Sequence, residues 1–260
     1  MSEAERDVWP APPAASEPIL EHMRRHRSVR AFKGDALEDD TIERAVEAAQ
    51  CAATSSWVQA YHLIQVTDED HRASIAELSG GQSHVSEAGA FFVICADSRR
   101  HRLVAERASK EIADSTETFV IALVDASLFA QNLCLAFESL GYGTCYVGGI
   151  RNNLPRLDGI LGLPHGVLPL FGLSVGVPVS DPGKRPRLPT RAVWSKDRYP
   201  DDTEMGALIE EHDEVAAAYY KSRGAAARNW SGGICRKYAS DPRPSVGPYY
   251  GSKGAKFRSD

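Results

Sequence analysis

No stretch of this 260-residue chain stays apolar for long. The longest uninterrupted run is Ala90–Ala96, well short of the ~18 residues that cross a bilayer. The opening MSEAERDVWPAPPAAS lacks a basic segment followed by an apolar one, so neither a membrane span nor export by that route is expected, and residues 1–16 read as a flexible Pro/Ala-rich arm. Cysteine is scarce and odd in number: Cys51, Cys95, Cys134, Cys145 and Cys235 contain no C-x-x-C pair. That excludes a disulfide scaffold or zinc clasp and points to a reducing cytoplasm and no metal. The eight histidines include no H-E-x-x-H, and G-x-S-x-G, G-x-x-x-x-G-K-[ST] and G-x-G-x-x-G are all missing. Metallohydrolase, serine-hydrolase, P-loop and Rossmann chemistry thus have no visible handle.

The net charge of −5 argues against general nucleic-acid binding, but it hides an asymmetry. From Lys221 to Asp260 there are nine basic and two acidic residues, a net of +7, leaving −12 for the remainder. An anion would be met in this C-terminal part, which reads as a basic excursion over about 200–244 and a flexible basic tail over 245–260.

Periodicity places interspersed helices and short strands, as in a single α+β domain. Ile19, Leu20 and Met23 mark a short helix running into the basic string at Arg24–Arg30. A second helix is predicted from Asp40, with Asp40 and Glu43 spaced as a capping box, stopping near Ala53. Tyr61–Val66, Ala90–Ala96, Cys145–Val147 and Pro169–Pro178 read as strands. Thr116–Leu140 is apolar on most of its circumference and ends at Gly141, which predicts a buried central helix with a glycine terminator. A short helix follows Asn153, and another runs from about Thr203 to Tyr220.

Four clusters carry candidate chemistry. His26-Arg27-Ser28-Val29-Arg30 sets cations around a hydroxyl, and guanidinium forks bind phosphates or polar ring edges. Thr54-Ser55-Ser56 with Gln59 gathers small donors in a turn. Gly80-Gly81-Gln82 offers an amide to a heterocycle edge. Gly141 to Asn153 is glycine-rich, allowing close backbone approach to a flat or anionic ligand. Singly, each also reads as a solvated patch, a loop or a turn; together they suit a flat, polar-edged, phosphorylated ligand.

These segments, with the long helix carrying A-Q-N, then E-S-L-G-x-G, Y-V-G-G-I-R-N-N, V-L-P-L-F-G-L, P-R-L-P and Y-Y-x-x-R-G, resemble the nitroreductase superfamily. They are most similar to its NADPH-preferring oxygen-insensitive nitroreductase and flavin reductase P group, in the same order from about Glu17 to Pro244. The resemblance implies a nitroreductase-like fold with a central, mostly antiparallel sheet flanked by helices, in a domain over 17–244. It also implies an FMN-containing homodimer with a long dimer-core helix and two active sites across the subunit interface. Carried over by residue, His26, Arg27, Ser28 and Arg30 would hold the ribityl phosphate and pyrimidine side of FMN. Ser55, Ser56 and Gln59 would come from the other subunit, Gln82 would meet a ring edge, and Tyr146, Val147, Gly148 and Gly149 would set backbone against the flavin face. Arg187 falls in the P-R-L-P stretch. Arg185 replaces the group's usual lysine as the cation near flavin N1 and O2, with Lys184 as the competitor. Arg223, Arg228 and Arg243 would meet the 2′-phosphate of NADPH.

The activity implied is hydride transfer from NADPH to flavin, then two electrons to a nitroaromatic, a quinone or free flavin, in ping-pong order and with no protein nucleophile. The rivals are a non-catalytic flavin-binding or redox-sensing protein, and a specialised biosynthetic flavoprotein oxidase or dehydrogenase on the same fold.

Overall fold

The structure is a computed structural model and describes residues 18–225 and 228–256. In chain order the elements are α1 (Pro18–Arg24), α2 (Asp39–Ala49), β1 (Tyr61–Gln65), α3 (Glu69–Leu78), α4 (His84–Glu87), β2 (Ala90–Asp97), α5 (Arg99–Arg107), α6 (Thr116–Ser139), β3 (Gly143–Val147), α7 (Leu154–Leu161), β4 (Val167–Gly176), α8 (Asp202–Ser222), α9 (Trp230–Tyr238) and α10 (Val246–Ser252). Short 3-10 turns cover Ser55–Trp57, Gly148–Asn153 and Thr190–Ala192.

The four strands form one antiparallel sheet in the order β1-β2-β4-β3. All eight residues of β2 are buried, which explains why it reads as a continuous apolar run instead of an alternation: both of its faces are covered. The β2–β4 register shifts between Ile94 and Cys95, opposite Phe171 and Pro169. A proline cannot donate to the ladder, so the irregularity falls where the sheet best tolerates it.

Helix α6 is the spine of the fold. Ser115 caps its start, accepting from the Thr118 amide, and Gly141 beyond its end has φ +90°, the left-handed terminator expected there. Ala122, Ala126, Phe129, Ala130, Leu133 and Phe137 are buried along it, with Tyr61 of β1 stacked on Phe129 at 4.4 Å between centroids. By length and composition alone α6 could cross a membrane; here it packs on α2 and on β1, β2 and β3.

Two expectations are corrected. The predicted capping box at Asp40 does not form: α2 starts at Asp39 after Glu38, without a side-chain cap, and Asp39 and Asp40 serve instead as first-turn acids against the helix dipole. Among the described residues a capping box forms at α8, where Asp201 and Glu204 satisfy each other's backbone amides. The second correction is the tail. Within 245–260, residues 246–252 form α10, whose Tyr249 and Tyr250 are buried. Tyr250 Oη donates to the Pro169 carbonyl at 2.7 Å, and Lys253 Nζ donates to the Leu163 carbonyl at 2.7 Å and pairs with Asp158. Burial of two adjacent aromatic rings with a satisfied hydroxyl outweighs a composition of glycine, proline and lysine. The predicted arm at 1–16 lies outside the described residues.

Candidate functional site

Three segments far apart in sequence meet around one cavity of about 380 Å³. The loop after α1 contributes Arg27, Ser28 and Arg30; the loop after β4 contributes Pro182, Gly183, Arg185 and Arg187; α8 and its sequel contribute Tyr219, Tyr220, Arg223, Ala225 and Arg228. Six guanidinium groups thus face one space. Arg27 pairs with Asp181 at 2.7 Å; among the described residues Arg30, Arg185, Arg187 and Arg228 have no carboxylate partner. So many like charges at one cavity repel one another, and an anionic ligand with several oxygens relieves that repulsion through charge-assisted bonds.

Backbone pairing fixes the first segment against the sheet. The Val29 amide donates to the Thr144 carbonyl at 2.8 Å, and Ser28 forms a parallel bridge with Thr144 of β3. Of the two candidates in the Lys184-Arg185 pair, Arg185 lines the cavity and Lys184 does not. Arg223 lies over the Tyr219 ring, 5.5 Å from its centroid, and Nη1 donates to the Pro182 carbonyl at 2.9 Å. The α9 excursion is held against α8 by Asp213, which accepts from the Ser231 amide at 2.8 Å and from Asn229 at 3.1 Å.

Other sequence-derived candidates are placed elsewhere. His26 turns away from the arginines: its Nδ1 lies 2.7 Å from Glu138 Oε1 at the end of α6. Arg243 is not in the cavity either, because its Nε donates to Asn152 Oδ1 at 2.9 Å and so braces the turn after Gly149. Gln82 is largely used within the chain, donating to the Ser79 carbonyl at 2.7 Å while its oxygen faces His84 Nε2 at 3.2 Å; His84 Nδ1 in turn meets Ser174 Oγ at 3.1 Å. Burial, and then Arg30, hold the His84 imidazole below its ordinary pKa. Gly149 packs against this amide so closely that a Cβ there would lie 2.4 Å from Gln82 Nε2 and 2.5 Å from the Ser79 carbonyl oxygen, so only glycine fits. Tyr146 points inward, its hydroxyl donating to the Ala130 carbonyl at 2.7 Å. Val147 is fully buried, so the half-buried positions of this segment are Tyr146 and Gly148.

Ser55, Ser56 and Gln59 form a third group, on a loop held by Asp125, a fully buried carboxylate in the middle of α6. Its Oδ1 accepts from the Ser55 amide at 2.8 Å and its Oδ2 from the Ala60 amide at 3.0 Å. Between them Ser56, Trp57 and Gln59 all have positive φ, 46°, 60° and 52°. Sequence reasoning passed over Asp125; its signal was a lone carboxylate inside an apolar helix.

This sheet and long core helix define a nitroreductase-type α+β fold, and a solved structure of Bacillus megaterium NfrA1 superposes with a TM-score of 0.90 at 38% identity, covering 92% of this chain and all of that one. Models of the nitroreductase family and of its C-terminal domain match residues 23–177 and 185–258. The chain belongs to the nitroreductase family. The second match takes in α10, in keeping with its docked position. Among curated relatives, the FMN reductase (NADPH) of Bacillus subtilis strain 168 is 40% identical over 241 residues, 90% of this chain and 97% of that protein. The oxygen-insensitive NADPH nitroreductase of Salmonella typhimurium is 37% identical, with 91% and 98% covered.

Proposed function

We propose that this chain is an FMN-dependent, NADPH-preferring oxidoreductase that passes two electrons to nitroaromatic, quinone or free-flavin acceptors in ping-pong order. The observation that carries this reading is the cavity lined by six arginines from three segments of the chain. Six cations around one space are enough charge for two phosphorylated ligands bound side by side or in turn.

The residues present fit FMN. Arg27, Ser28 and Arg30 would hold the ribityl phosphate, Arg185 and Arg187 the pyrimidine side of the ring, and Tyr146 to Gly149 would supply backbone to its face. When bound, FMN supplies the hydride acceptor and the two-electron donor, which is why the chain carries no nucleophile. Arg223 and Arg228 would take the 2′-phosphate of NADPH; Arg243 is left out of that role because it is committed to Asn152. Ser55, Ser56 and Gln59 do not line the arginine cavity of their own chain, which supports their donation to the site of a second subunit. Val120, Val124 and Leu128 support the same homodimer: spaced by four residues along α6, they leave an apolar stripe 41–47% exposed on a helix whose other face is core. All five cysteines are free, in keeping with a cytoplasmic protein.

Purified protein is expected to be yellow, to sediment as a dimer, to release FMN on denaturation and to lose its flavin absorbance on adding NADPH. Release of FAD, or a flavin that NADPH leaves oxidised, overturns the proposal; the latter favours a redox-sensing or binding role. Retention of full activity by a monomer removes the shared site.

The arginine that stands in place of lysine has its own test. A cation beside N1 and O2 favours the anionic reduced ring, so Arg185→Gln is expected to lower the flavin potential by tens of millivolts, about 30 mV being ~1.4 kcal/mol for a two-electron couple. Arg185→Lys is expected to stay near the wild-type value. A shift confined to Lys184→Gln would move the role to Lys184.

A further inference from the structure

Glu138 occupies a place where a carboxylate is disfavoured on two counts. It stands in the last turn of α6, at the negative end of the helix dipole, and its side chain is only 11% exposed. Burial alone would raise its pKa, yet the imidazole of His26 and the bonds from Thr144 and Cys134 hold it below the usual carboxylate value. One oxygen, Oε1, meets His26 Nδ1 at 2.7 Å, accepts from Thr144 Oγ1 at 2.9 Å and lies 3.6 Å from Cys134 Sγ. A buried carboxylate–imidazole contact of this kind contributes little net stability; the better-attested use of such buried polar contacts is to fix register.

The register in question is that of the loop after α1. His26 immediately precedes Arg27, and Thr144 is the strand residue that Ser28 and Val29 pair with. The carboxylate therefore grips both sides of the junction between the cationic loop and β3, from which Tyr146 to Gly149 continue. His22 Nε2, 3.0 Å from the Leu135 carbonyl, anchors α1 to the same end of α6 but touches neither side of the junction.

We propose that Glu138 is a positioning residue for flavin phosphate recognition: through His26 and Thr144 it sets the distance between the Arg27-Ser28-Arg30 loop and β3. The inference rests on the reading that this loop holds the FMN phosphate. Glu138 touches no ligand in this scheme, and its effect passes entirely through the loop. It is therefore felt by a flavin that carries the phosphate and not by one that lacks it.

The test compares FMN with riboflavin, which shares ring and ribityl chain, by titrating full-length protein exchanged free of flavin. Glu138→Gln keeps the size and one acceptor oxygen but loses the charge. It is expected to weaken FMN about tenfold, at the low end for a charge-assisted bond since the Val29–Thr144 bond remains, and to change riboflavin affinity less than twofold. Equal losses for both flavins would make Glu138 a general structural residue and overturn the inference. Arg30→Ala, run alongside, reports on the phosphate cradle itself. No FMN–riboflavin split there overturns the cradle reading; a split there with none in Glu138→Gln overturns the positioning role alone. Where Glu138→Gln does not yield folded protein, His26→Asn, which keeps a donor near the Nδ1 position, and His26→Ala are measured the same way, with a split in His26→Ala and recovery in His26→Asn expected. Identical behaviour of the two His26 variants counts against the tether.

Discussion

Replacing Arg223 with alanine is expected to lower kcat/KM for NADPH by roughly 10- to 150-fold while leaving NADH much less affected. The two donors differ only in the 2′-phosphate, and one charge-assisted hydrogen bond to it is worth ~1.5–3 kcal/mol, which becomes that factor when the contact persists in the transition state. Arg223 suits the task because it caps the end of α8, lies over Tyr219 and faces the cavity alongside Arg228. It also donates to the Pro182 carbonyl, so the same side chain supports the loop, and the choice of donor separates the two roles. Loss of the Pro182 contact would disturb the loop carrying Arg185 and Arg187 whichever donor is used. Equal losses with NADPH and NADH would thus assign Arg223 to loop support, whereas a loss confined to NADPH assigns it to the phosphate. Arg228→Ala, with no such loop contact among the described residues, is expected to show the same selectivity with no loss at all for NADH.

What the sequence disclosed follows the range of the interactions involved. Helix α6 was legible from end to end because its determinants are local: a run of apolar residues and a glycine at the terminator. Strand β2 was legible because burial on both faces leaves an unmistakable apolar string. The anion cavity was foreshadowed by the excess of basic residues after Lys221 and by the motif resemblance, which named all six of the arginines that line it; what neither disclosed is that His26 and Arg243 are drawn elsewhere. Arg27, Arg185 and Arg223 belong to three loops brought together only by the fold, and nothing near Arg243 in sequence shows that Asn152, 91 residues away, occupies it. His26 is diverted in the same way by Glu138, 112 positions on. Helix α10 was missed for the opposite reason: its composition says solvent, and only the tyrosine pair and its bond to the Pro169 carbonyl of β4 give it somewhere to dock. Buried carboxylates are the hardest case. Asp125 and Glu138 look like ordinary breaks in a helical pattern until the amides and the imidazole they serve are seen.

Asp125 carries the largest stability effect expected of any single position here. Asp125→Ala removes a fully buried acceptor of two backbone amides, those of Ser55 and Ala60. At ~1.5–3 kcal/mol for each hydrogen bond to a charged group, the loss is about 3–6 kcal/mol, a large part of the 5–15 kcal/mol that holds a typical domain together. The loop it releases is one that would not keep its shape unaided. Three non-glycine departures into positive φ within four residues, at Ser56, Trp57 and Gln59, each cost of order 1–3 kcal/mol and persist only while the ends are pinned. Some pins remain in the variant: His101 Nε2 lies 2.7 Å from the Val58 carbonyl, and Arg100 donates to the Gln59 carbonyl at 3.0 Å. These hold carbonyls, however, and leave the two amides without acceptors. Asp125→Asn separates the charge from the geometry. Its amide can accept at one end but presents an N–H to an N–H at the other, so about half of the loss is expected. Denaturant unfolding of the holoenzyme, followed by release of flavin fluorescence, checks both. If this loop completes the flavin site of a second subunit, FMN should leave at lower denaturant than global unfolding in Asp125→Asn, and together with it in the wild type. A midpoint for Asp125→Ala within about 1 kcal/mol of wild type would show that His101 and Arg100 suffice and that the carboxylate is not what holds the loop.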